Sequence, residues 1–344
     1  MKTLNSMKLW SVLLAISFVA FSCSEDDDNG NNNEPTLKKL FTSNNSNGNL
    51  TIYDVTDATN ISTTTLITTS VAADGVYYDS STDAVIQASR SGLSLEGFTG
   101  ITDIVTGTAV SAAITGSTDL VSPREVAVRN NFYVVADSQD VDSDPATLDG
   151  RLFIYERSGG TFTLRNTITT DFKLWGITFI GSDLYAVVDA DNELAVYEDF
   201  LNNSTDATLS ASKRIVVEGI VRTHGLTYDG GTDTMIMTDI GDAMNTQDDG
   251  GFHVISNFTS KFNATANGET LSVGQQVRVS GSNTLMGNPV DVAYDGETGT
   301  VFIAEAGNGG GRILAFGNVG SGGNLTPAVN NDLAAASAVY LSVE

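Results

Sequence analysis

Among the side chains of this sequence able to hold a cation or move a proton, Glu125, His224 and Asp291 stand out, because they fall at the first two positions of a repeated motif. Two carboxylates near an imidazole can bind a divalent cation or act as acid and base. A second reading is structural: Glu125 pairs with Arg124 or Arg222 in a watery channel. A further acidic group, Asp140-Val141-Asp142-Ser143-Asp144, has the alternating spacing that opens an EF-hand-type Ca²⁺ loop. It departs from that loop at Pro145, where glycine is required, and no glutamate closes it. Asp239 heads another acidic stretch with Asp242, Asp248 and Asp249. These acids are either Ca²⁺ ligands or solvated turns. Catalytic signatures are otherwise absent: the sequence has no Gly-x-Ser-x-Gly elbow, no His-Glu-x-x-His and no phosphate-cradling loop.

The elements that must position these residues are short strands. From residue 37 onward, Val/Ile/Tyr/Phe runs alternate with Gly/Asp/Asn turns, and no stretch sustains a 3.6-residue apolar period. One motif recurs: a small or acidic residue, apolar positions, a turn, then an apolar run ending in a small residue and an acid. Its second position falls at Gly75, Glu125, Gly176, Gly225 and Asp291, roughly every 50 residues, the last interval being lengthened by insertions near 240–250 and 260–273. Third strands follow at 93–98, 151–155, 193–197, 252–256 and 312–316, and outer fourth strands at 213–217 and 276–280. Asp137, Asp189, Asp239 and Glu305 close the second strands. Their recurrence predicts a structural role in bonding turn backbone.

The repeat resembles NHL-type and YVTN-type propeller repeats. The best-matching copy runs from Gly287-Asn288-Pro289-Val290-Asp291-Val292-Ala293-Tyr294-Asp295 through Ala304-Glu305-Ala306-Gly307-Asn308 to Arg312-Ile313-Leu314-Ala315-Phe316. The resemblance is architectural, covers about residues 38–344, and names no reaction. It implies an all-β fold in which loops entering first strands and loops leaving second strands share one face around a central channel. On that map Asp74, Arg124, Trp175, Arg222 and His224 sit at the channel mouth, with Trp175 available to stack on a sugar. Glu125, His224 and Asp291 then resemble the metal centres of lactonase-type six-bladed propellers. His253, in a third strand, is expected at the surface.

The chain ends predict how the ring closes. Residues 40–43, 50–55 and 64–71 read as second, third and fourth strands without a first, while 337–342 fit the first-strand pattern. The expectation is a six-bladed β-propeller completed by the C-terminal strand, which removes exposed sheet edges.

Residues 1–22 read as an export signal. Lys2 and Lys8 precede an apolar run at 9–21 too short to span a bilayer, and Ser22 stands before Cys23. Cys23 is the sole cysteine, so no disulfide or thiolate cluster can form, and its position predicts lipidation. The segment resembles signals of Bacteroidetes-type lipoproteins, as does the acidic stretch Ser24-Glu25-Asp26-Asp27-Asp28. Residues 23–36 form a polar tether and 37–344 the folded domain. The expected location is the outer membrane, on its periplasmic or outer surface. With 42 acidic against 17 basic residues and a formal charge of −25, nucleic acid and anionic membranes are excluded as electrostatic partners. The expected ligand is a protein, peptide or glycan.

Overall fold

The structure, a computed structural model, describes residues 36–344 apart from Pro145; the signal segment, Cys23 and the tether up to residue 35 lie outside the described residues. Thr36–Glu344 form one compact unit. It is built almost wholly of antiparallel sheets, named A to F here in chain order, each beginning with its innermost strand.

Sheet A orders Ala336–Val343, Lys38–Asn44, Leu50–Asp54 and Ser62–Leu66. Sheet B orders Ala73–Asp79, Ala84–Ser89, Ser94–Thr99 and Ile114–Gly116. Sheet C orders Pro123–Arg129, Phe132–Asp137, Gly150–Ser158 and Thr161–Thr170, and is continuous with B where Thr161–Thr170 runs parallel to Ile114–Gly116. Sheet D orders Leu174–Ile180, Asp183–Val188, Glu193–Tyr197 and Lys213–Val217. Sheet E has Leu226–Asp229, Thr234–Asp239, Gly251–Ser256 and Val277–Ser280; sheet F has Pro289–Asp295, Thr300–Glu305, Arg312–Phe316 and Val329–Asp332. The innermost strands pack side by side in chain order, and that of F packs against that of A.

The C-terminal strand pairs with the first strand of the chain over Lys38↔Val343 to Ser43↔Ala338. Leu37 and Glu344 exchange backbone hydrogen bonds at 3.0 and 2.9 Å, so both ends lie in sheet A, as expected. Each pair of adjacent sheets encloses its own apolar core. Leu40, Val290, Phe302, Ala336 and Val339 fill the space between F and A, and Phe41, Leu50, Tyr78, Val85 and Ala338 that between A and B. A seven-residue helix, Phe258–Ala264, lies in the second insertion. It carries no sustained periodicity because two residues, Phe258 and Phe262, one turn apart, suffice to bury it against the core between D and E.

One irregularity serves the site. The innermost strands of B, C, D and F break register with their neighbours at Asp74/Val76, Pro123/Val126, Leu174/Ile177 and Pro289/Asp291. These are bulges, which leave residues unpaired and re-aim their side chains. The unpaired residues include Gly75, Arg124, Glu125, Trp175, Gly176 and Val290, the positions that head the repeat.

His253 is fully buried, contrary to the expectation of a surface residue. Its Nδ1 lies 2.7 Å from Gln276 Oε1, and Gln276 in turn donates to Glu218 O from the preceding sheet. A third strand sheltered by the outer strand and by a neighbouring loop has no open face.

Candidate functional site

Side chains from the innermost strands of all the sheets line one central cavity of about 330 Å³, among them Tyr77, Glu125, Phe179, Thr227, Asp291 and Tyr340. A second pocket, of about 220 Å³, lies at the heads of those strands; Asp74, Arg90, Arg124 and Trp175 line it together with Val290, Ala306 and the small residues 335–337. The acids Glu125 and Asp291 line the first; the cations line the second.

Glu125 and Asp291 come together. Glu125 Oε1 accepts from Val126 N at 2.8 Å and Asp291 Oδ2 from Val339 N at 2.8 Å, and the two acids line the same cavity. Burial, then repulsion from Asp291, pushes Glu125 well above the usual carboxylate range. Burial pushes Asp291 up to about 7. Glu125 therefore does not pair with Arg124 or Arg222. Four small residues at the matching positions make room for this: a Cβ on Gly225 would stand 2.6 Å from Asp291 Cα.

His224 is held apart from the two acids. Its ring stacks on Trp175 with centroids 3.7 Å apart and planes inclined by 4°, and the Arg124 guanidinium covers the other face of the indole at 4.0 Å. Both faces of Trp175 are thus occupied, so it offers no platform for a sugar ring. His224 Nε2 points to Asp189 Oδ1 at 3.2 Å. Burial pulls the imidazole down to about 4, more than Asp189 restores, so it is neutral at pH 7. Glu125, His224 and Asp291 do not present ligand atoms to one point. Among the described residues the group that does is Asp140, Asp142 and Asp149, whose ligand atoms lie within 4.8 Å of one another. Asp144 instead accepts from Ala146 N, and Asp239 is buried elsewhere, so the expected set of Asp140, Asp142, Asp144 and Asp239 does not assemble.

The recurring second-strand acids behave as expected in three sheets of four. Asp137 accepts from Val121 N, Ser122 N and Gln139 N; Asp239 from Val221 N, Arg222 N and Gly241 N; Glu305 from the amides of Gly287, Asn288, Gly307 and Asn308. Asp189 is the exception. Its carboxylate accepts from Arg222 Nε and Nη2 at 2.9 and 2.7 Å, and Lys173 Nζ lies 3.5 Å away. Despite the cost of burial, His224 and Arg222 hold it well below the usual carboxylate range. Sequence reasoning grouped Asp189 with its structural counterparts and missed this role. The signal was in the next repeat, which supplies Arg222 and His224; Asp239 also meets a guanidinium, Arg278 Nη2 at 2.8 Å, but from its own sheet and in addition to its backbone amides.

Arg124 donates to Ser138 Oγ at 2.8 Å and to Asp74 Oδ2 at 3.2 Å, and Arg90 Nη1 lies 3.6 Å from the same oxygen. Asn45 Nδ2 donates to Asp74 Oδ1 at 2.6 Å. Burial raises the Asp74 pKa against the pull of Arg124 and Arg90. The expected mouth residues Asp74, Arg124, Trp175, Arg222 and His224 are therefore linked through two buried carboxylates. Arg90 and Lys173 join them, bringing four of the 17 basic residues to one place on an acidic chain.

No protein-family model matches the chain, and no curated protein matches it. Among solved structures it is similar to a chain of a nidogen/laminin complex, with 12% identity and a TM-score of 0.57 over 89% of this chain and 98% of that one. It is also similar to a protein of unknown function from Bacteroides caccae, with 10% identity and a TM-score of 0.52 over 90% of this chain and 99% of that one. At such identities the likeness shows the fold alone. The fold is a β-propeller.

Proposed function

We propose that this protein is a lipid-anchored envelope module, a six-bladed propeller closed by its C-terminal strand, which binds a protein or peptide across its channel mouth. The order and packing of sheets A to F support the blade count. Cys23 at the end of an apolar export segment supports the anchor and the outer-membrane location. The observation that carries the binding reading is the departure of Asp189 from its structural counterparts. Its carboxylate is diverted from bonding turn backbone to holding Arg222 and His224 beside Trp175, and a purely structural blade has no need of that change.

The surroundings fit a polypeptide better than a glycan. Val71, Val121 and Val221 are exposed, each three residues before the head of an innermost strand, and Met244 stands exposed in a loop on the same face. An apolar rim around a polar centre is the pattern of protein-binding surfaces. Trp175, with both faces covered, lacks the open ring that sugar stacking uses.

A photo-reactive residue placed at Val121 or Val221 in the full-length protein in its native cells should cross-link one discrete partner. The same residue at Thr298, in the turn at the opposite end of sheet F, should not. Equal labelling from both faces would overturn the mouth as the binding surface. Cys23→Ser should move the protein from the membrane fraction to the soluble one, and retention in the membrane would refute the lipid anchor.

A further inference from the structure

The mouth pocket has an unbalanced charge. Two guanidiniums, Arg90 and Arg124, converge on a single carboxylate oxygen, Asp74 Oδ2. Asp74 is buried and supplies one negative charge against two positive ones. The other cations nearby do not alter this count, because Arg222 and Lys173 are gathered on Asp189 and His224 is neutral. Among the described residues the Arg90 guanidinium makes no hydrogen bond, and its ion-pair neighbour is Asp74 at 3.6 Å. Both arginines face the same pocket of about 220 Å³, whose far wall is apolar: Val290, Ala306, Ala335 and Ala336.

We infer that this pocket takes a monoanionic carboxylate on a small apolar stem, seated on Arg90 beside Arg124. Guanidinium presents paired donors that match a carboxylate. One uncompensated positive charge calls for one negative charge, whereas a phosphate dianion would overcharge a site already holding Asp74. The apolar wall accepts a branched or small aliphatic group. Two sources carry this chemistry, a free short-chain carboxylic acid and the C-terminal residue of a peptide. The inference rests on the mouth being the binding face, and it specifies what the centre of that face recognises.

Calorimetry on the detergent-solubilised full-length protein tests it, with isovalerate, acetyl-Gly-Gly-Val, the amide of that tripeptide and inorganic phosphate as probes. The free-acid tripeptide should bind at least about ten-fold more tightly than its amide, and Arg90→Ala should remove that preference. Arg90→Lys should retain part of it. Ala306→Leu, which fills the apolar wall and leaves the charges in place, should also weaken the acid, and it serves if Arg90→Ala melts early. Isovalerate binding as tightly as the tripeptide identifies a free acid as the natural source; a tripeptide advantage of about ten-fold identifies a chain terminus. Equal binding of acid and amide, no binding of either carboxylate, tighter binding of phosphate, or indifference to Arg90→Ala each overturns the inference. Cross-links from Val121 and Val221 would survive that failure, so the broader reading stands or falls separately.

Discussion

Glu125 and Asp291, reached from sheets C and F, bring two buried acids to one central cavity whose lining holds no Lys or Arg. Burial penalises the ionised form of each, and their mutual repulsion adds to that penalty once both are charged. For an acid whose folded pKa lies above its unfolded one, the folded state binds more protons, so its contribution to stability falls as pH rises. The window runs from the ordinary carboxylate range up to about 7, where Asp291 titrates. Thermal melts should show stability declining from pH 5 to pH 8. Asp291→Asn and Glu125→Gln should both flatten that decline; an unchanged slope in both variants would show that the pair is not protonated in the fold.

Asp189 has the opposite sign. Its pKa is depressed, so its contribution is present above the ordinary carboxylate range and is lost as pH falls through its folded value. Asp189→Asn leaves Arg222 and Lys173, both about seven-tenths buried, without a counter-charge. Removing one partner of such a cluster should cost about 2 kcal/mol, less than for a fully buried pair because the cations touch solvent. Urea unfolding at pH 7 measures it. A change below about 0.5 kcal/mol, the level of an ordinary surface substitution, would show the cluster to be energetically idle.

Trp175 is the sole tryptophan among the described residues, and its stacking on His224 makes it a reporter. A protonated imidazole in van der Waals contact quenches indole emission. In a protein carrying Trp10→Phe to silence the signal segment, Trp175 fluorescence should drop on acidification with a midpoint near pH 4, where His224 titrates. His224→Gln should abolish that transition. Persistence of the transition would place the quenching group elsewhere.

Gly225 lies where sheets E and F approach closely. A methyl group there would meet Asp291 Cα at 2.6 Å and Val290 O at 3.0 Å. Since these contacts include backbone, which cannot swing aside, Gly225→Ala should destabilise the domain by about 2 kcal/mol through overpacking. Gly274→Ala, with open space around the added methyl, is the matched control and should be near neutral. Equal melting temperatures for the two would contradict the close approach.

Removing residues 336–344 deletes the innermost strand of sheet A and exposes the edge of Lys38–Asn44. It also strips Ala336 and Val339 from the core between F and A. The truncated chain should lose its sharp thermal transition and self-associate through the open edge. A cooperative melt close to that of the intact protein would show the ring to be stable unclosed.

Much of this was legible in the chain because it is local. A strand buried on both sides must be written as an apolar run, and a turn needs residues tolerant of tight backbone, so the repeat could be read from Gly75 to Asp291. The lone strand at the C-terminus announced the pairing at the N-terminus, since an unmatched inner strand implies an unmatched partner. Strands with few apolar residues were silent: Thr161–Thr170 and Val329–Asp332 are outer strands, half exposed, whose pairing comes from backbone rather than side-chain pattern.

What the tertiary structure alone decided is which charged groups meet. Side-chain spacing placed Glu125 and Asp291 at one position of the repeat and His224 at the position before it, but place in a repeat gives a height along the axis and no common direction. The bulges at the strand heads turn neighbouring residues up or down. Glu125 consequently lines the central cavity with Asp291, while Arg124, one residue earlier, covers Trp175. Asp189 and Asp239 are likewise interchangeable as sequence, and only the partners brought round by the adjacent sheet make one a cap of turn backbone and the other the anchor of the mouth. Sequence periodicity thus determined the sheets and their closure, because each depends on burial along a single strand. The site belongs to contacts between strands, and those exist only once the ring is formed.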